Sequence, residues 1–170
     1  MSQEIFLMDS NSFIAPYKSF YSFDFAPGYW NQLENGIKCG RIQILDLVKN
    51  EITSGDDELK KWMSSLSFNS IDRRQQNILQ VYANVLQYIQ YNPCYKPAAL
   101  TEWSKSNIAD PWLIATAKVF GYTIITFEEG KKINPSSPSK NAKIPDVADH
   151  FGVKTEKLYY LMRELGFKLN

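Results

Sequence analysis

Three features of this sequence predict an α/β fold: a three-layer α/β/α arrangement around a central, mainly parallel sheet. Residues 4–8 (EIFLM) and 122–126 (YTIIT) are short, continuous apolar runs, the pattern of strands buried on both faces of a parallel sheet. Residues 109–130 (ADPWLIATAKVFGYTIITFEEG) place a helix, a Gly121 stop and one of these runs in direct succession, the unit from which such sheets are built. Each run then passes into acid, Asp9 after the first and Glu128-Glu129 after the second. Open α/β sheets bind ligands at the carboxyl ends of their strands, so these acids are candidate functional groups.

The elements follow in order. Residues 5–14 (IFLMDSNSFI) break from an apolar run into Asp-Ser-Asn-Ser, which reads as a turn. The aromatic stretch behind it is expected to be irregular, because Pro16 and Pro27 limit any helix across it. Pro27 suits the first turn of the next helix, with Trp30, Leu33 and Ile37 at helical spacing up to Cys39-Gly40. Residues 41–55 (RIQILDLVKNEITSG) begin with strand-like alternation, and Leu45, Leu47, Val48 and Ile52 then give a helix that Gly55 closes. Residues 56–66 (DDELKKWMSSL) set acids ahead of lysines, as a helix dipole prefers. The strongest helix is expected in residues 70–92, with Ile71, Ile78, Leu79, Val81, Tyr82, Val85, Leu86 and Ile89 on one apolar face before Asn92-Pro93. Residues 97–107 form a short helix. Residues 130–143 (GKKINPSSPSKNAK) read as a mobile loop, and the rest supplies two helices and a short strand.

At 170 residues the chain is long enough to bury its own core and reads as a single domain, residues 1–170. A composition of 44% hydrophobic and 22% charged residues excludes wholesale disorder. The net charge of +1 neither demands nucleic acid nor excludes it, since a local basic patch can coexist with neutrality. Cys39 and Cys94 lie far apart without CxxC spacing, which argues against a disulfide framework or a zinc knuckle. The single histidine, His150, rules out a His-based metal site and a Ser-His-Asp triad, and is assigned a structural role. No basic segment leads into a long apolar stretch, so a cytoplasmic protein without a membrane partner is expected.

Four acids fall at element ends that a parallel sheet would bring together: Asp9, Asp110, Glu128 and Glu51. Each has an ordinary reading. Asp9 is a turn residue, Asp110 before Pro111 a helix N-cap, Glu128 and Glu129 solvated loop acids, and Glu51 a charge on an exposed helix face. Together they acquire a chemical meaning. Crowded carboxylates repel and need cations, and oxygen ligands without His or Cys beside them specify Mg²⁺ or Mn²⁺ rather than zinc. Such ions commonly serve phosphate chemistry.

Residues 6–14 (FLMDSNSFI) resemble the first-strand motif of PIN-domain nucleases, a buried strand, its Asp and a small polar turn. Residues 109–129 resemble their second signature, in which an Asp opens a helix with Ile-Ala-x-Ala and a strand ends in Thr-x-acid. Residues 44–52 (ILDLVKNEI) match the intervening helix that carries a Glu. The closing KIPDVADHFGV and LMRELG segments are similar to an uncharacterised prokaryotic PIN-like branch related to VapC-type toxin-like ribonucleases. The resemblance implies a Mg²⁺- or Mn²⁺-dependent endoribonuclease, the toxin of a toxin–antitoxin pair, with RNA as substrate and an antitoxin as protein partner. It is compatible with a homodimer. Asp9, Glu51 and Asp110 take the main metal positions and Glu128 the fourth, where the family usually has Asp; Glu129 competes for that place. Asn11 or Ser12 would orient Asp9 or the metal's water, and Thr126 would hydrogen-bond within the cluster. Water would attack the phosphodiester in line, leaving a 5′-phosphate and a 3′-hydroxyl.

Lys131, Lys132, Lys140 and Lys143 either keep the Ser/Pro loop solvated or clamp a nucleic-acid backbone. Trp30, Trp103 and Trp112 are expected in the core rather than stacked on bases. The second functional reading is a PIN-like module that binds RNA or protein without turnover. A small-substrate phosphatase is disfavoured because no DxDxT nucleophile motif is present.

Overall fold

The structure, a computed structural model, describes residues 3–169. Its strands are β1 (Phe6–Met8), β2 (Ile42–Gln43), β3 (Thr123–Ile125) and β4 (Thr155–Glu156), in one parallel sheet of order β2-β1-β3-β4. The two apolar runs of the sequence are therefore sheet neighbours, and the protein has the three-layer α/β/α class expected. Among the described residues the helices are α1 (Asn11–Ser19), α2 (Pro27–Lys38), α3 (Asp46–Thr53), α4 (Glu58–Ser65), α5 (Gln76–Tyr91), α6 (Pro97–Trp103), α7 (Asp110–Phe120), α8 (Ile144–His150) and α9 (Leu158–Glu164). The chain divides into two compact units, residues 3–72, 125–127 and 156–169 in the first and residues 73–124 and 128–155 in the second.

In the first unit, all three residues of β1 have no exposed surface. It pairs in parallel with β2, Phe6 opposite Ile42 and Leu7 opposite Gln43. The Asp-Ser-Asn-Ser stretch turns at Ser10 and is helical from Asn11 onward. Ser12 N–H donates to Asp9 O, and Phe13 N–H and Ile14 N–H donate to Ser10 O. Helix α1 then runs straight through Pro16, where an irregular segment was expected. A proline inside a helix deletes one backbone bond, but Phe13 and Pro16 are both buried, and burial offsets that loss. The Pro16 carbonyl closes the helix by accepting from Phe20 and Tyr21 N–H. Trp30 sits in an aromatic cluster, its ring 4.3 Å from Phe23 and 4.9 Å from Trp62, while its Nε1 donates to the Tyr21 carbonyl at 2.6 Å. Asp57 caps α4 by accepting from Lys60 N–H.

Ile71 does not belong to α5, contrary to its apolar spacing. Its backbone exchanges bonds with Ile44 O and Asp46 N–H in the first unit, and α5 starts at Gln76. Apolar spacing alone does not distinguish a helix position from an extended residue held in a backbone bridge.

In the second unit α5 packs along α7, which is buried continuously from Pro111 to Ala117. Gly121 ends α7 at φ +72, the left-handed conformation that glycine adopts without strain. Helix α6 packs on α5 and α8 on α7. Residues 130–143, expected to be mobile, are tied down at Ser139, which exchanges backbone bonds of 2.8 Å with Cys94 O and Lys96 N–H. Trp30 and Trp103 are 2% exposed and Trp112 8%, which makes all three core residues.

Gly36 offers a test of packing in the first unit. A Cβ there would lie 2.7 Å from Ile42 Cδ1 and 3.1 Å from Cγ1, and Ile42 is itself buried. Alanine would gain up to about 1 kcal/mol in helix propensity, against roughly 1–3 kcal/mol for overpacking. Gly36→Ala should therefore lower stability by about 1 kcal/mol in urea unfolding, whereas an unchanged or higher midpoint would show that Ile42 can yield.

Candidate functional site

The site in the first unit begins with a strand that ends in a buried charge. Asp9 follows the last residue of β1 and is 5% exposed. Its backbone N–H donates to the Ile125 carbonyl at 3.0 Å, a bond that locks the end of β1 to the end of β3. One residue beyond β3, Thr126 Oγ1 donates to Asp9 Oδ2 at 3.0 Å, and Thr126 is likewise buried. Ser10 Oγ lies 3.5 Å from Asp9 Oδ1, at the long limit of a bond. Ser12, fully buried, donates its hydroxyl to the Ile125 carbonyl at 2.9 Å, pinning the first turn of α1 to the end of β3. Asn11 is exposed.

A buried carboxylate is costly unless bonds satisfy it. The Thr126 and Ser10 hydroxyls orient the Asp9 carboxylate without cancelling its charge. Carboxylate and hydroxyl oxygens of this kind, with neither His nor Cys among them, are the donors that hard divalent ions select. Ser10 stands in the same polar run as Asn11 and Ser12, and its sequence signal is adjacency to Asp9 alone.

The remaining candidates lie on other elements. Glu51 is exposed in the last turn of α3, in the first unit. Asp110 is the first residue of α7, in the second unit; Ala109 holds the cap position, so Asp110 stands one residue inside it and favours the helix dipole. Glu128 accepts from Ile144 N–H at 2.7 Å and pairs with Lys143 Nζ at 3.2 Å, which caps α8 from the loop that precedes it. Glu129, Lys131, Lys132 and Lys140 are exposed. Among the described residues, no group of three or more His, Cys, Asp or Glu gathers in a way that could hold a metal ion.

Asp146 is an acid whose place is evident only in the fold. It accepts from Lys131 N–H at 2.8 Å and sits against Gly130, where a Cβ would come within 2.8 Å of its carboxylate. Burial raises its pKa above the ordinary 3.8; the Lys131 amide bond opposes that shift, and Glu128 and Asp149 add to it. In the sequence only the Pro-Asp pair at the start of α8 hints at such a role.

Thr126→Val keeps the shape of the side chain and removes the bond to Asp9. Stability should fall by about 1.5–3 kcal/mol, with Thr126→Ser recovering most of it; equal stability in chemical denaturation would remove Thr126 as an anchor. Asp146 has a raised pKa in the folded chain, so its contribution is fully present below about 3.8 and lost as pH rises through the folded value. Asp146→Asn should flatten that decline while its amide oxygen keeps the Lys131 bond. Identical pH–stability curves for the two proteins would refute this.

A family model described as a domain of unknown function, DUF4411, matches residues 6–169. No curated protein matches the chain.

Proposed function

We propose that this chain, which belongs to the DUF4411 family, is a Mg²⁺- or Mn²⁺-dependent endoribonuclease of PIN-like type. The observation that supports it best is the pairing of Asp9 with Thr126, a buried carboxylate and a hydroxyl at the carboxyl ends of adjacent parallel strands. The segments resembling PIN motifs fold as strand, Asp, one-residue turn and helix, and as helix, glycine stop, strand and Thr-x-acid, an order that supports the reading. No helix among the described residues is long and apolar enough to cross a membrane.

In this reading a bound divalent ion supplies Lewis acidity and an activated water. Asp9 would hold the ion. Thr126 fixes the rotation of the Asp9 carboxylate, and the Ser12 bond keeps the start of α1 from swinging away from β3. By the resemblance alone, Glu51, Asp110 and either Glu128 or Glu129 would be the further ligands. RNA is the substrate, and an antitoxin-like protein would keep the activity in check in a cytoplasmic setting.

The engagement of Glu128 by Ile144 N–H and Lys143 favours a second reading, a PIN-like module that binds RNA or protein without cleaving. Mixed single-stranded RNAs incubated with Mg²⁺, Mn²⁺ or EDTA separate the two. The nuclease reading expects metal-dependent cleavage that Asp9→Asn abolishes; intact RNA under every metal condition would leave the binding module.

Asp110 gives a sharper test. In the first turn of α7 its charge is worth about 0.3–1 kcal/mol to the helix, so Asp110→Asn should cost no more than that in metal-free unfolding. As a metal ligand it needs the full charge, so cleavage with Mn²⁺ should be lost. Undiminished cleavage by Asp110→Asn would reduce this residue to a helix-end acid.

A further inference from the structure

Helix α5 carries no Asp, Glu, Lys or Arg over its sixteen residues. Its exposed positions include Asn84, Gln87 and Tyr91, the last 72% exposed. These three line a groove of about 620 Å³ together with Tyr88, Asn92 and His150, all within the second unit. The groove is shallow and open, so it would hold a ligand against one face. His150 is stacked on Tyr88, the rings 3.9 Å apart and 14° from parallel. Asn92 accepts from Cys94 N–H at 2.9 Å through its carbonyl oxygen and bonds the Tyr88 hydroxyl, so its amide is held in one orientation.

This combination selects a ligand by chemistry. Aromatic faces favour a flat ring, and amides, each with a donor and an acceptor, suit a heterocycle edge that also carries both. No Asp, Glu, Lys or Arg lines the groove, so a neutral ligand suits it. We propose that this groove binds a single unpaired nucleobase, stacked against Tyr91 and His150 and read along its edge by Asn84 and Gln87. The assignment of that base to an RNA substrate rests on the ribonuclease reading; the existence of the subsite does not.

His150 is the sole histidine of the chain, so its imidazole C–H resonances report on the groove without assignment. In metal-free protein, titration with adenosine, guanosine, cytidine and uridine should move those resonances upfield for at least one nucleoside, whereas ribose 5-phosphate should leave them in place. Tyr91→Ala, at an exposed position that the core does not need, should weaken that nucleoside about tenfold. Gln87→Ala should change the preference among the four. Silent His150 resonances at millimolar concentration of every nucleoside would overturn the proposal. So would an equal response to ribose 5-phosphate, or unaltered binding by Tyr91→Ala. Nucleoside binding without RNA cleavage would refute the nuclease and keep the base site, and cleavage with a silent His150 would do the reverse.

Discussion

The first unit depends on one constraint: a carboxylate removed from water must be fixed in place by the backbone that buried it. Asp9 is 5% exposed because β1 runs through the core and ends there. The group is held by Thr126, one residue past the end of the neighbouring strand, and by the Asp9 N–H bond to Ile125. Both contacts require β1 and β3 to lie side by side with a particular register. A one-residue slip of either strand would turn its side chains to the opposite faces, setting Thr126 away from Asp9. With β1 apolar on both faces, the polar contact at its end is what distinguishes one alignment from the other.

Part of this arrangement is legible in the order of the amino acids alone. The apolar runs mark both central strands because strands covered on two faces have no polar alternation to hide them. Asp-Pro at one end and Gly121 at the other frame α7, since both signals act on the local backbone. Helix α1 is hidden by Pro16, whose local penalty is overridden by burial of Phe13 beside it. Ile71 misleads for the opposite reason. It fits the helical period of the residues that follow, yet its backbone forms a bridge to Leu45.

The contacts of the site are less legible than its positions. Asp9 and Thr126 stand out as strand-end residues, but their bond spans 117 positions and no local spacing encodes it. The partners of Glu128 are hidden in the same way. Its carboxylate reaches across the loop to Lys143 and the Ile144 amide, while Asp146 reaches back to Lys131. These reciprocal bonds join the two ends of a Lys/Ser/Pro-rich segment whose composition alone suggests freedom. One of the four lysines weighed for nucleic acid, Lys143, is thereby engaged within the protein.

The kind of partner matters as much as its presence. A lysine or arginine at position 126 would also hold Asp9, and more strongly, but it would cancel the charge that the proposed cation site needs. Threonine donates one proton and stays neutral, so this bond orients the carboxylate without itself neutralising its field. Ser12 serves the same end without touching the carboxylate, since its hydroxyl is spent on the Ile125 carbonyl. Burial then amplifies that field, because electrostatic attraction grows as water is excluded. A turn residue on the surface gains nothing from such an arrangement, and Asp9 would do as well there without Thr126 beside it. A hydroxyl anchor meets the hydrogen-bonding need of a buried acid, and in the proposed nuclease reading the same bond would orient that acid toward a divalent ion.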